Sequence, residues 1–494
     1  MSSRRKRGGL DFGGNGSILI LLAFIAMMVM FIEIMLVPAL PIIAQEYPAE
    51  ADWVSWVLSI YLLVGAVATP LFGRLGDMYG KKRMMMLTMA IYTVGLLGCG
   101  FSWSMFSLLA FRAIQGVGLA MFPLAFGIVR DTFPPKAVPV AIGLISAMFS
   151  IGVSVGLLGG GWVVARLSWR DAFYIVTPLF ALLTLASGFM IRESSIRKEC
   201  SLDIAGAALL GGGVLALLFA LTQGDAWNWD WRAIGMIAGA LVLLIVFVFL
   251  ERRVRSPLVD MKLMANRGIL GSNVVAVFTG LSMFLLFQTL PFFLMSPPEV
   301  GGFGLADAFE VGLYMFPSAI GQIFFGPMAG TLSKRIGADK VLAAGLGILF
   351  AGMMLLILFH SSAIEVIFSV FVAGIGLGMS MVALINLVVQ SCPANEFGLA
   401  SGINSLFRVI GGSIGPVLGA VVMAQFLVMW FPPGSPSPIE LTGETGYVWA
   451  WTIAAISALV GMIISLMIKP EKGHCYEDFS EKEKGAIESP SGTS

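Results

Sequence analysis

Gly73-Arg74-Leu75-Gly76-Asp77-Met78-Tyr79-Gly80-Lys81-Lys82-Arg83 is a short charged segment set between two long apolar runs, near 51–72 and 84–103. Each run is about as long as the 20 or so residues that carry a helix across a hydrocarbon core at 1.5 Å rise. The segment therefore reads as a tight loop joining two membrane helices. Lys81, Lys82 and Arg83 mark it as a loop that stays on the inner side.

The same punctuation recurs along the 494 residues. Apolar spans fall near 18–43, 51–72, 84–103, 105–130, 138–165, 172–191, 203–222, 232–250, 268–295, 309–331, 340–359, 362–390, 397–428 and 447–468. That is an all-α integral membrane protein of fourteen transmembrane helices. The chain is 58% hydrophobic and 12% charged, where a soluble domain carries about a quarter charged residues. Its mean hydropathy is +0.91. The net charge of +1 gives no basis for a nucleic-acid partner.

An even number of spans puts both termini on one side. With the N-terminus in the cytosol, the inner segments carry 25 of the 30 Lys and Arg residues. The outer segments carry only Arg166, Arg170 and Arg232. This asymmetry predicts that both termini are cytosolic, and the chain is expected to be a multi-pass protein of the plasma membrane. Arg4-Arg5-Lys6-Arg7 precedes an apolar stretch too long for a signal-peptide core and without a cleavage site, so it leads into a retained first helix. Trp227, Trp229 and Trp231 fall at the outer interface, where aromatic belts form. Cys99, Cys200, Cys392 and Cys475 show no metal-ligand spacing and are expected to form no disulfides. The last 25 or so residues are charged and rich in Gly, Pro and Ser, the composition of a disordered tail.

The chain also repeats itself. At an offset of about 258, Gly116-Val117-Gly118-Leu119 falls on Gly374-Ile375-Gly376-Leu377, and Gly73 and Gly80 fall on Gly330 and Gly337. The ladder Gly152, Gly156, Gly160 falls on Gly411, Gly415, Gly419. At offset 250, Leu40-Pro41 falls on Leu290-Pro291. Glycines four apart make a flat strip where helix backbones approach closely. The expected organisation is a cytosolic N-terminus (1–17), a six-helix bundle (18–191), a linker with two extra helices (192–267), a second, pseudo-symmetric six-helix bundle (268–468) and a cytosolic tail (469–494). Parallel repeats of this kind rock about a central site.

The segment Gly73 to Arg83 resembles the loop signature of the major facilitator superfamily. Trp56-Val57-x-x-x-Tyr61-x-Leu63 and Arg112-x-x-Gln115-Gly116-x-Gly118 resemble further signatures of that family. Ala39-Leu40-Pro41, Glu251-Arg252-x-x-x-Ser256-Pro257 and Asn404-x-x-x-Arg408-x-x-Gly411-Gly412 resemble its 14-helix drug:proton antiporter branch. Two places depart from that branch: Ile32 stands where an aspartate is usual, with Glu33 next to it, and Gly156-Leu157 stands where Gly-Pro is usual. The resemblance implies proton-coupled efflux of a small cationic or amphipathic compound by a monomer working through alternating access. A proton-coupled metabolite transporter is the alternative. A membrane enzyme should cluster His, Asp or Cys at the interface, and a sensor should carry a soluble domain; the sequence has neither. No phosphate-binding Gly-x-x-x-x-Gly-Lys motif, nucleophile triad or metal cluster appears, so no cofactor or metal is expected.

Charges inside the spans single out the working residues, because an ionisable group in a bilayer is costly and rarely idle. Glu33 and Arg112 fall at similar depths from the outer side and are expected to handle the coupling proton and line the cavity with Gln115. Gln288, Gln322 and Asn386 are further candidates for the lining. Val370 is the counterpart of Arg112 and Phe149 that of Arg408, for which a packing role is expected. Gly73, Arg74, Asp77, Gly80, Lys81, Arg83 and Asp131 form the expected cytosolic gate. In the resembled family the acid at the Asp77 position meets the N-terminus of the helix at 397–428. His360 and His474 lie at the ends of spans or beyond them, which leaves no buried histidine to carry protons.

Overall fold

The computed structural model describes residues 15–47, 53–134, 137–193, 202–224, 226–254, 257–259, 261–392, 397–433 and 438–468. The expected cytosolic tail (469–494), and all but residues 15–17 of the expected N-terminal segment, lie outside the described residues. Fourteen spanning helices run through the described chain: α1 (Gly16–Glu46), α2 (Trp56–Tyr79), α3 (Lys81–Gly100), α4 (Met105–Thr132), α5 (138–166), α6 (Trp169–Met190) and α7 (Ile204–Gln223), followed by α8 (Trp231–Glu251), α9 (Arg267–Met295), α10 (Ala308–Ile336), α11 (Ala338–Leu358), α12 (Ala363–Ser391), α13 (Phe397–Ala424) and α14 (Glu444–Met467). Thirteen have the length and apolarity of a membrane span. The fourteenth, α5, is interrupted by a π-helical turn at Gly156–Gly160. We call the face where Gly16 begins the near face and the opposite one the far face.

Three helices differ from the sequence reading for local reasons. Residues 73–79 continue α2, and only Gly80 breaks the chain, at φ +110°. That conformation favours glycine because it has no Cβ, so the loop expected over 73–83 shrinks to one residue. α1 is interrupted after Ile34, because Pro38 lacks an N–H and its ring crowds the carbonyl four residues back. α13 ends at Ala424 rather than near 428, and Leu427–Trp430 pairs with Ile439–Thr442 as an antiparallel hairpin. Alternation is weak there, with exposed apolar residues on both faces, so period-2 patterning gave no signal.

The glycine ladders lie at close helix approaches in both copies. A Cβ on Gly152 would stand 2.5 Å from the Met27 carbonyl oxygen, on Gly156 2.9 Å from that of Phe31, and on Gly160 2.4 Å from Met35. In the second copy Gly411 meets the Val277 carbonyl at 2.0 Å and Gly415 that of Leu281 at 2.9 Å, while Gly419 faces the Thr289 side chain at 3.2 Å, with Leu285 beyond it at 3.8 Å. Met27, Phe31 and Met35 correspond to Val277, Leu281 and Leu285 at the offset of 250. α5 thus lies on α1 as α13 lies on α9, backbone against backbone at the first two rungs of each ladder.

The two bundles meet toward the far face. Residues 32–41 of α1 and 282–291 of α9 are buried without interruption, so neighbours surround them on every side. Gly161 of α5 comes against the Ala308 carbonyl, and Gly312 of α10 against that of Leu157, at would-be Cβ distances of 2.6 and 2.4 Å. α7 and α8 pack on each other, and α7 also packs on α2 and α13. The Trp56 indole N–H donates to Thr222 at 2.9 Å.

Candidate functional site

Near the middle of the first bundle, the break in α1 leaves Glu33 one residue before the end of the α-helical turn. The ladder face of α1 (Met27, Phe31) lies on α5. Glu33, two residues past Phe31, points roughly 200° away from it, into the bundle. Its side chain is 4% exposed, and its Oε2 atom has no hydrogen-bond partner. Among the described residues it forms no ion pair within 4.0 Å, yet Arg112 and Arg408 both act on it electrostatically.

Arg112 is held in place by α2 and by its own helix. Its Nε donates to the Val57 carbonyl at 2.9 Å and its NH1 to Gln115 Oε1 at 2.8 Å, while the guanidinium lies 4.4 Å from the Tyr61 ring centroid. Such contacts fit a planar guanidinium better than they would an ammonium. α4 starts at a capping box in which Ser104 and Ser107 satisfy each other's backbone groups, which fixes its register. Gly116 and Gly118 of α4 bring that helix against Tyr61 of α2 and Tyr92 of α3, and Gly95 of α3 makes room for Gln115 of α4, which assembles the cluster. One NH2 of Arg112, the Gln115 Nε2, and the hydroxyls of Tyr61 and Tyr92 are buried without partners. Together with Glu33 Oε2 they make a knot of unmet polar groups in one bundle, where nearly all buried polar atoms are normally paired. Cys99 completes the knot, its thiol 3.7 Å from Gln115 Oε1.

The sequence reading placed Glu33, Arg112 and Gln115 together, named Tyr61 only as part of a family signature and missed Tyr92. A signal was present: both are tyrosines on apolar helices, and buried hydroxyls need partners. Arg408 differs from its expected packing role in part. Its backbone does pack, the carbonyl lying against Gly280, but its side chain is half-buried and its charge acts on Glu33 from the opposite bundle. Gln288 is fully buried with both amide atoms unpaired, Gln322 donates to Ser318 at 3.4 Å, and Asn386 leaves its Nδ2 unpaired.

The second cluster lies at the near face. Lys81 is buried between Asp131, at 2.7 Å, and Asp77, at 3.2 Å. Its stem passes Gly127, where a Cβ would stand 2.7 Å from Cε, so that glycine opens the groove the lysine needs. Glu193, which the sequence did not single out, accepts the backbone N–H groups of Lys82 and Arg83 at 3.1 and 3.2 Å and so caps the start of α3. Arg83 itself is exposed, 3.8 Å from Glu193. Arg74 donates to the Pro257 carbonyl in the connection after α8. The expected meeting of Asp77 with the start of α13 involves side chains of 393–399, which lie outside the described residues. Gly73 has open space where a Cβ would sit.

Two pseudo-symmetric bundles of spanning helices around buried charge are the architecture of a multi-pass membrane carrier. The family model of the Major Facilitator Superfamily matches residues 21–201, 204–416 and 302–489. The chain belongs to the major facilitator superfamily. It is 30% identical over 379 residues to the multidrug transporter protein MdtP of Bacillus subtilis, covering 75% of this chain and 69% of that one. It is 30% identical to the multidrug resistance protein Stp of Mycobacterium tuberculosis, over 78% of this chain and 72% of the relative. The tetracenomycin C resistance and export protein of Streptomyces glaucescens is 28% identical over 83% of this chain and 78% of its own length. Among solved structures, the human organic anion transporter MFSD10 (TETRAN) aligns with a TM-score of 0.58 at 17% identity, covering 92% of this chain and 99% of its own, a likeness of fold.

Proposed function

We propose that this transporter exports a small amphipathic compound in exchange for protons, with Glu33 as the proton carrier. The observation that carries the reading is Glu33 itself: a carboxyl group buried at mid-membrane, with an unpartnered oxygen, between guanidinium groups of the two bundles. A buried carboxyl without a bonded partner costs least when neutral. Relatives named for multidrug resistance and export support the direction. The near face is cytosolic on the Lys and Arg asymmetry, so closure at the far face makes this the inward-facing state. In this state protonated Glu33 meets a compound entering from the cytosol. Binding brings Glu33 toward Arg112 or Arg408, the carboxylate forms, and the proton leaves to the cytosol. The bundles then rock, the near-face cluster of Asp77, Lys81 and Asp131 acting as the latch, and the compound leaves outward as a new proton arrives.

One observation favours a second reading. Two guanidinium groups face one carboxylate, so the cavity carries an excess of positive charge. That suits a proton-coupled transporter of an anionic metabolite better than an exporter of cations.

The test uses proteoliposomes under an imposed pH gradient, challenged with lipophilic cations, neutral amphiphiles and organic anions, while proton movement is followed. Proton release on addition of the amphiphiles supports the exporter. A response confined to anions moves the assignment to metabolite transport, and no response to any class overturns both.

A further inference from the structure

The two helices between the bundles carry a cluster that the transport cycle above does not use. Asp203, the residue before α7, and Glu251, the last residue of α8, are 4% and 2% exposed. Each is anchored through one oxygen: Asp203 Oδ1 accepts the Gly206 N–H at 2.7 Å, and Glu251 Oε2 accepts the Val259 N–H at 3.1 Å. The other oxygen of each, Asp203 Oδ2 and Glu251 Oε1, is buried and unpartnered. Both surround one point, 2.4 and 2.6 Å from where a Cβ on Gly206 would stand. Glycine at 206 is what lets them share that space. Among the described residues neither carboxyl has a salt-bridge partner within 4.0 Å. Arg74 of α2 is the cation that acts on Glu251, while Arg252 and Arg253 beside it are exposed. Two carboxylates make no hydrogen bond to each other; with one proton between them they do.

We propose that Asp203 and Glu251 form a second proton site, separate from Glu33, that holds one shared proton at the near face and ties α7 and α8 to the gate. The tie is physical. Glu251 holds Val259 in the connection after α8, and two residues earlier Pro257 accepts from Arg74 of α2. Loss of the shared proton leaves two buried negative charges facing each other. They separate the start of α7 from the end of α8 and loosen the connection that holds Arg74. Transport then falls as the pH at this face rises.

Glu251→Gln keeps the geometry. The amide oxygen accepts from Val259, the amide N–H donates to Asp203, and no proton has to be held. In proteoliposomes, raising the pH on the near side alone should slow wild-type transport about fivefold, the low end of coupling between sites. The variant should lack this fall and keep only the response to pH that coupling through Glu33 gives. The direct readout is a pH-difference infrared spectrum, taken in the Glu33→Gln background so that Glu33 adds no band and the result is independent of the coupling reading. A protonated-carboxyl C=O band that titrates there, and disappears in Glu33→Gln/Glu251→Gln and in Glu33→Gln/Asp203→Asn, supports the site. No such band, a band unchanged by both substitutions, or a band displaced by millimolar Na⁺ or Ca²⁺ at constant pH overturns it, the last pointing to a metal-cation site instead.

Discussion

The two bundles share a backbone and differ in what fills it. Gly116 meets Tyr61 in the first bundle and its counterpart Gly374 meets Ser318 in the second; Gly118 meets Tyr92 where Gly376 meets Leu349; Gly95 meets Gln115 where Gly352 meets Ala373. By the same correspondence Glu33 becomes Met283, Arg112 becomes Val370 and Cys99 becomes Leu356. Every polar member of the central knot is replaced by an apolar or small residue, while the glycines that set the helix approaches stay. Charge reverses at Arg408, which stands where the first bundle has Phe149. Packing needs the glycines in both copies, because each pair of backbones must close the same gap. Buried charge is too costly to duplicate without use, so on the proposed exchange mechanism the asymmetry singles out the first bundle for the proton.

The sharpest way to break this comparison is Glu33→Gln. Substrate-induced proton release in proteoliposomes should vanish; if coupling persists, the charge asymmetry has no bearing on protons. Next in size is Arg112→Leu, which removes charged donors worth about 1.5–3 kcal/mol each. Transport should drop about 100-fold, equivalent to about 3 kcal/mol, with a lower unfolding temperature in detergent. The matched Val370→Ala should stay within about threefold, since it trims one apolar side chain at roughly 1 kcal/mol. Equal losses at the two positions would erase the distinction between the bundles.

Lys81→Met removes the cation that Asp131 meets at 2.7 Å, leaving it the exposed Arg130 at 3.8 Å, and transport should fall at least about tenfold from the loss of a largely buried ion pair. Lys81→Arg should recover little of it, because a planar guanidinium does not reproduce the compact ammonium that meets Asp131 at 2.7 Å and Asp77 at 3.2 Å. Gly312→Val should cost about fivefold, since its Cβ meets the Leu157 carbonyl and overpacking costs about 1–3 kcal/mol. Cysteine accessibility should then rise at the far face, where the bundles no longer close. The smallest effect is expected at Gly73→Ala, whose added methyl meets nothing; transport within about twofold of wild type would separate the motif's positions that pack from those that do not.

Much of the fold was legible because the membrane enforces simple rules: spans of fixed length, cations kept inside, glycine where backbones touch. Glu33, Arg112 and Lys81 stood out because charge is rare in such a chain. Tyr61, Tyr92 and Glu193 did not, since a tyrosine on an apolar helix reads as packing and a single glutamate after a span reads as a surface residue. The Leu427–Trp430 hairpin escaped because neither strand alternates. The break after Ile34 was foreseeable from Pro38, but an unbroken apolar run concealed it.

The sequence by itself determined the number of spans, their repeat and the identity of the buried charges, because these follow from hydropathy and from residue types that a bilayer tolerates only at a cost. Only the tertiary structure decided which charges meet. Arg408 reaches Glu33 from α13, Lys81 lies between two acids of other turns and helices, and Asp203 faces Glu251 across α7 and α8. Those meetings depend on rotation about each helix axis and on how closely two backbones approach, and no linear spacing encodes either for helices distant in the chain.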